Sequence, residues 1–144
     1  MEMDDRTLWT MVLVLAAAMA YRYMPRWRAR SPFVPPAALK KRLDAGDDVV
    51  VLDVRTKGEY HGRGGHVSGA VNVPLADLSA RLMALDQDLA PLKDHAIYVH
   101  CGTEARGARA ARQLRDAGFT DVSVIAGGYR AWRRRGFPTD QEPR

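Results

Sequence analysis

The chain of 144 residues is 47% hydrophobic, enough apolar material for one compact core and too little for two independent ones. Its formal charge of +5 is unevenly placed, because residues 1–30 carry five arginines against Glu2, Asp4 and Asp5, which leaves +3 on residues 31–144. No basic face is interleaved with stacking aromatics and Arg133–Arg135 reads as a solvated helix end, so nucleic acid is not expected as a partner.

From Thr7 to Met24 the chain reads TLWTMVLVLAAAMAYRYM, nearly all apolar. As a helix its 18 residues rise about 27 Å, close to the roughly 30 Å of bilayer hydrocarbon. Trp9 at one end and Tyr21, Tyr23 and Trp27 at the other stand where interfacial aromatics sit, and Arg22 is placed to snorkel. The segment therefore predicts a single membrane span through residues 7–24. A cleaved signal peptide is the competing reading, since AAAMA offers small residues, but a signal opens with positive charge and this chain opens MEMDDR. A helix lying on the surface is a third, disfavoured because polar residues do not recur on one face. Arg22, Arg26, Arg28 and Arg30 follow the apolar run, so the positive-inside rule puts the N-terminus outside an inner or plasma membrane and the rest in the cytoplasm.

Residues 31–36, SPFVPP, read as a proline-punctuated linker holding the domain off the bilayer. Beyond it strands and helices alternate. Ala37–Ala45 is a helix opened by Pro36 and closed by Gly46, and Val49–Val54 is a continuous apolar run of the kind found in a strand covered on both faces. Ala70–Val73 is a second strand, Leu75–Leu89 an amphipathic helix, Ile97–His100 a third strand and Arg106–Ala117 a helix stopped by Gly118. Val122–Ile125 is the last strand, followed by Gly127-Gly128 and a short helix through Trp132. The expected division is residues 1–30 as anchor and basic juxtamembrane segment, 31–36 as linker, 37–138 as one α/β domain with a mainly parallel central sheet, and 139–144 as a frayed tail. Ligands of such sheets sit beyond the carboxyl ends of the strands, which puts Asp53 and Cys101 on one rim.

Cys101 is the only cysteine, which excludes an internal disulfide and a cysteine zinc cluster and suits a reducing compartment. His61, His66, His95 and His100 lack ligand spacing and are read as ordinary hydrogen-bonding residues, so no metal site is assigned. Cys101 opens a strand-to-helix turn, Cys101-Gly102-Thr103-Glu104-Ala105-Arg106-Gly107. Such a loop aims backbone N–H groups at one centre and adds the positive end of the following helix, an arrangement that favours an anion and a nucleophilic thiolate. Arg106 adds a fixed charge with a planar fork suited to an oxyanion. On this pattern alone an inert buried cysteine is an equal alternative.

The flanking residues resemble the rhodanese family over Pro36–Pro138. Leu52-Asp53-Val54-Arg55 with Glu59-Tyr60 looks like its first signature, Gly65-His66-Val67-Ser68-Gly69-Ala70-Val71-Asn72-Val73-Pro74 like the segment that follows, and Gly127-Gly128-Tyr129-Arg130-Ala131-Trp132 like its C-terminal signature. The resemblance implies a three-layer α/β domain and a persulfide relay. In that relay Cys101 takes sulfane sulfur from thiosulfate or a protein persulfide and hands it to cyanide or a thiol, with no cofactor. By the same resemblance Arg106 would hold the sulfonate, the amides of Gly102, Thr103, Glu104, Ala105 and Gly107 would cradle the persulfide, and Asp53 and Arg55 would support the loop.

Arg55 is placed to pair with Glu59, His66 to fix the turn before Ala70, and Tyr129 and Trp132 to pack. The spacing from Cys101 to Arg106 is C-x4-R, shorter than the C-x5-R of related phosphatases and arsenate reductases, which disfavours those activities. Glu104 stands where many active members have glycine. It is expected to strain a position wanting positive φ and to repel an anionic donor. A membrane-tethered interaction module without turnover is the alternative function.

Overall fold

The computed structural model describes residues 5–141. Glu2 and Asp4 of the acidic N-terminal flank, and the last three residues of the expected tail, lie outside them. Helix α1, Asp5–Arg28, contains the apolar run; it is long and apolar enough to cross a membrane, and no residue of its window Asp5–Met24 is buried. A core helix of a globular domain would be buried; Leu13, Val14 and Leu15 of this one are open.

The linker is not a spacer. Phe33–Val34 forms β1, an edge strand parallel to β6, Val122–Ile125. Pro32 and Pro35 are tolerated because they flank a two-residue edge strand and contribute no N–H to it, while Pro32 O accepts the Val124 N–H at 2.9 Å and Val34 O that of Ala126 at 2.8 Å. Ala29, between α1 and this strand, is fully buried in the core, Arg30 pairs with Asp116 at 3.2 Å, and the end of α1 lies against α6, Ala105–Asp116. Helix α1 is thus seated on the domain rather than held away from it.

Five strands form one parallel sheet. Across it run β4 (Val71–Asn72), β2 (Val49–Asp53), β5 (Ala96–His100), β6 and β1. Successive strand residues point to opposite faces, so Leu52, Ile97, Val99, Val122 and Val124 meet α4 (Leu75–Ala84) and α6, while Val51, Tyr98 and Ile125 meet α2 (Pro36–Asp44) and α7 (Gly128–Arg134). This is the expected three-layer α/β arrangement. Ala108, Ala110, Ala111 and Leu114 let α6 approach closely; a Cβ on Gly107 would sit 3.3 Å from Val124.

Two further elements differ from the sequence expectation. The helix expected over Leu75–Leu89 breaks at Leu85 into α4 and the single turn α5, Asp86–Leu89. The expected tail is partly tied down. Thr139–Asp140 forms β7, antiparallel to β3 (His66–Val67), while Pro138 O takes the Trp132 indole N–H at 2.9 Å and Asp140 takes the Ser68 hydroxyl at 2.8 Å.

Candidate active site

Cys101 follows β5 and is buried at the carboxyl edge of the sheet. Its loop is bound to the start of α7. Tyr129 N–H donates to Cys101 O at 2.7 Å and Arg130 N–H to Gly102 O at 3.1 Å. Gly128, at φ +58°, sits directly beneath: a Cβ there would lie 2.1 Å from Thr103 O and 2.6 Å from Cys101 O. Only glycine fits this floor.

With the carbonyls of Cys101, Gly102 and Glu104 engaged, the loop's amides are left over. Among the described residues, the N–H groups of Gly102, Thr103 and Glu104 have no backbone acceptor, and those of Ala105, Arg106 and Gly107 form the first turn of α6, where no intrahelical acceptor exists. Unpaired amides running into a helix N-terminus form a concentrated positive potential, complementary to an anion at the mouth of the loop.

Arg106 folds back over the loop, its Nη2 3.2 Å from where a Gly102 Cβ would stand, and it interacts electrostatically with Cys101. The same guanidinium is held by Glu59 in a two-pronged pair, Nη1 to Oε2 at 2.7 Å and Nη2 to Oε1 at 2.8 Å. Hydrogen bonding to Arg106, the largest cause, together with bonds from Thr56, lowers the Glu59 pKa to about 2. Glu59 is itself fixed by a reciprocal cap at the start of α3 (Lys57–Tyr60): Thr56 Oγ1 accepts the Glu59 N–H at 3.2 Å and Glu59 Oε2 accepts the Thr56 N–H at 3.0 Å.

The expected Arg55–Glu59 pair does not form. Arg55 turns inward to Asp53, with Nη2 to Oδ2 at 2.6 Å and Nε to Oδ1 at 3.0 Å, and its guanidinium lies 4.1 Å from the Tyr129 ring centroid. Asp53 has no exposed surface, and backbone geometry explains the preference: the Arg55 N–H also reaches Asp53 Oδ1, so the two are joined before Glu59 is in range. Asp53 and Arg55 thus brace the strand ends beside Cys101. His66 Nδ1 lies 3.1 Å from Tyr60 O, and its ring stacks on Tyr60 with centroids 3.7 Å apart; Tyr60 in turn donates its hydroxyl to Ala70 O. His66 thus packs on the residue whose hydroxyl holds the turn at Ala70.

Glu104 also departs from expectation. Its φ is −138°, so no left-handed strain exists there, and among the described non-glycine residues only Arg30 has positive φ. Its carboxylate turns out of the loop, with Oε1 accepting from Arg26 Nη2 and from Gly127 N–H, each at 2.9 Å. Hydrogen bonding to Arg26, ahead of the opposing effect of burial, lowers the Glu104 pKa. The charge expected to repel a donor is therefore spent on α1.

His100 departs from the hydrogen bonding that the sequence predicts for it. It is fully buried with both ring nitrogens unpartnered, Nε2 resting 3.8 Å from Asp53 Oδ2, and burial lowers its pKa, favouring the neutral ring. Its register opposite Asp53 follows from two parallel apolar runs ending together, a signal available in the sequence. The Thr56-x-x-Glu59 cap was equally legible and would have marked Glu59 as pre-oriented.

Residues 35–135 match the family model for the rhodanese-like domain. The chloroplastic thiosulfate sulfurtransferase 16 of Arabidopsis thaliana is 40% identical over 94 residues, covering 61% of this chain and 77% of that protein. A putative sulfur carrier protein of Bacillus subtilis is 30% identical over 101 residues, 70% of this chain and 50% of that protein. The chain thus spans only about half the length of some curated relatives. Among solved structures, a rhodanese-like domain from an Anabaena protein superposes with TM-score 0.66 at 34% identity, covering 78% of this chain and 80% of that one. A thiosulfate sulfurtransferase from Pseudomonas aeruginosa, 24% identical, shares the fold with TM-score 0.70 over 86% of this chain and 23% of that one. The chain belongs to the rhodanese-like family, whose sulfurtransferase and sulfur-carrier members support sulfur transfer as its general role.

Proposed function

We propose that the protein is a membrane-anchored sulfurtransferase that carries sulfane sulfur as a persulfide on Cys101. The observation behind this reading is the row of amides without a backbone acceptor from Gly102 to Gly107 around Cys101, with Arg106 beside it. The Cys101 thiolate attacks the outer sulfur of thiosulfate, the S–S bond of the donor breaks, and sulfite leaves with the bonding electron pair. Cys101 then bears a persulfide anion, which the loop amides solvate. A cyanide or thiolate acceptor attacks the terminal sulfur, and Cys101 leaves as thiolate. A protein persulfide serves as donor by the same exchange.

Arg106 binds the sulfonate of a small donor, and to do so it must share its fork with Glu59 or leave it. Asp53, Arg55 and His66 support the loop and its neighbours without touching the reacting sulfur. Helix α1 holds the domain at the cytoplasmic face of an inner or plasma membrane. Thiocyanate formation from thiosulfate and cyanide tests the assignment: wild type turns over, Cys101→Ser does not while keeping its circular dichroism, and turnover by that variant would remove Cys101 from the mechanism.

A further inference from the structure

An open cleft of about 920 Å³ lies between the C-terminal part of α1 and the outer face of α6. Arg22 and Arg26 line it from α1, Arg109 and Arg112 from α6, and Arg130 and Arg134 from α7. Only two carboxylates, Glu104 and Asp116, share this lining. Arg26 is paired with Glu104, and Asp116 is divided between Arg30 at 3.2 Å and Arg112 at 3.9 Å. Among the described residues, Arg22, Arg109, Arg130 and Arg134 have no carboxylate within ion-pairing distance. Three helices thus converge their guanidinium groups on one concavity, and the repulsion among them is relieved by an anion of matching geometry.

The position of the cleft selects the anion. It opens at the C-terminal end of the apolar part of α1, and Tyr21 and Met24 of that end line it. If α1 spans the bilayer, this is the depth of the phosphates of the leaflet on the domain's side. Arginine forks suit phosphate oxygens, and basic pockets at this level recognise anionic lipids. We propose that the cleft between α1 and α6 binds the phosphate headgroup of an anionic phospholipid. The proposal rests on the membrane-spanning reading of α1, and its test separates the two.

The full chain, kept in neutral detergent with equimolar phosphatidylglycerol and phosphatidylcholine, is examined by native mass spectrometry. One phosphatidylglycerol is expected to be retained in at least about five-fold preference, and the double variant Arg109→Gln/Arg112→Gln, altered at exposed α6 positions, is expected to lose it. Equal retention of both lipids, or a preference unchanged in the variant, overturns the proposal. Displacement of the lipid by millimolar inorganic phosphate overturns the lipid as source and makes the cleft a site for a free anion. Alkaline carbonate extraction of membranes holding the wild type reads the span separately. Release of the chain overturns the anchor and the lipid source together; retention without lipid preference overturns the cleft alone.

Discussion

Glu59 grips Arg106 with both carboxylate oxygens, at 2.7 and 2.8 Å, so the arginine of the Cys101 loop is already paired within the fold. In the proposed reaction an anionic donor would meet a guanidinium whose charge is partly cancelled and would compete with a carboxylate held in place by Thr56.

Glu59→Gln removes that competing charge while leaving an amide able to cap α3. The KM for thiosulfate is expected to fall several-fold, equivalent to about 1 kcal/mol for a half-exposed charge pair. A protein persulfide donor, which presents no sulfonate, is expected to show little change. A higher KM for thiosulfate in this variant would mean that Glu59 aligns Arg106 rather than occupying it.

The depressed Glu59 pKa also fixes a pH window. A carboxylate whose folded pKa lies below its unfolded value adds stability that is present above about pH 4.5 and is lost as pH falls toward about 2. The pair with Arg106 is thus fully formed at neutral pH, and the KM for thiosulfate is expected to show no titration of Glu59 between about pH 5 and 8. Steady-state kinetics across that range check this; a carboxylate-like inflection there that disappears in Glu59→Gln would contradict it.

Glu104 faces Arg26 and Gly127, which turns the sequence expectation around. Glu104→Gly and Glu104→Gln are expected to leave kcat/KM for thiosulfate within about two-fold of wild type and to lower stability by under about 1 kcal/mol, the scale of a surface ion pair. A several-fold gain in kcat/KM with either substitution would show that its charge does reach the donor.

Gly128 is the most restrictive position near the loop. Gly128→Ala pushes a methyl group into the carbonyls of Thr103 and Cys101 and strains a positive φ, so a loss of at least about 2 kcal/mol is expected, with activity falling further than in substitutions outside the loop. Asp53→Asn breaks a fully buried ion pair and leaves Arg55 uncompensated, for an expected loss of about 3–5 kcal/mol. Denaturant unfolding measures both; wild-type stability in either would contradict the packing described.

The parts of the fold legible in the sequence are those whose cause is local. β2 and β5 announce themselves as continuous apolar runs because the sheet is covered on both faces, and α6 does so because Ala110, Ala111 and Leu114 recur at helical spacing. β1 was hidden because two residues between prolines carry no periodicity, and its pairing becomes visible only once β6 lies beside it. β7 was hidden in a polar tail whose order comes from Trp132, Ser68 and β3, all distant in sequence. Cys101 and Arg106 were legible as a motif. Their partners were not, because whether Arg55 or Arg106 reaches Glu59 depends on where two separate strands end.

The central claim is that Cys101 carries sulfur, and intact-mass spectrometry of the full chain after incubation with thiosulfate tests it most directly. The account predicts a single adduct of about 32 Da, one sulfur atom, on the wild type, removed by cyanide and absent from Cys101→Ser. An unmodified mass in the wild type, with thiosulfate and with a protein persulfide donor alike, would contradict it.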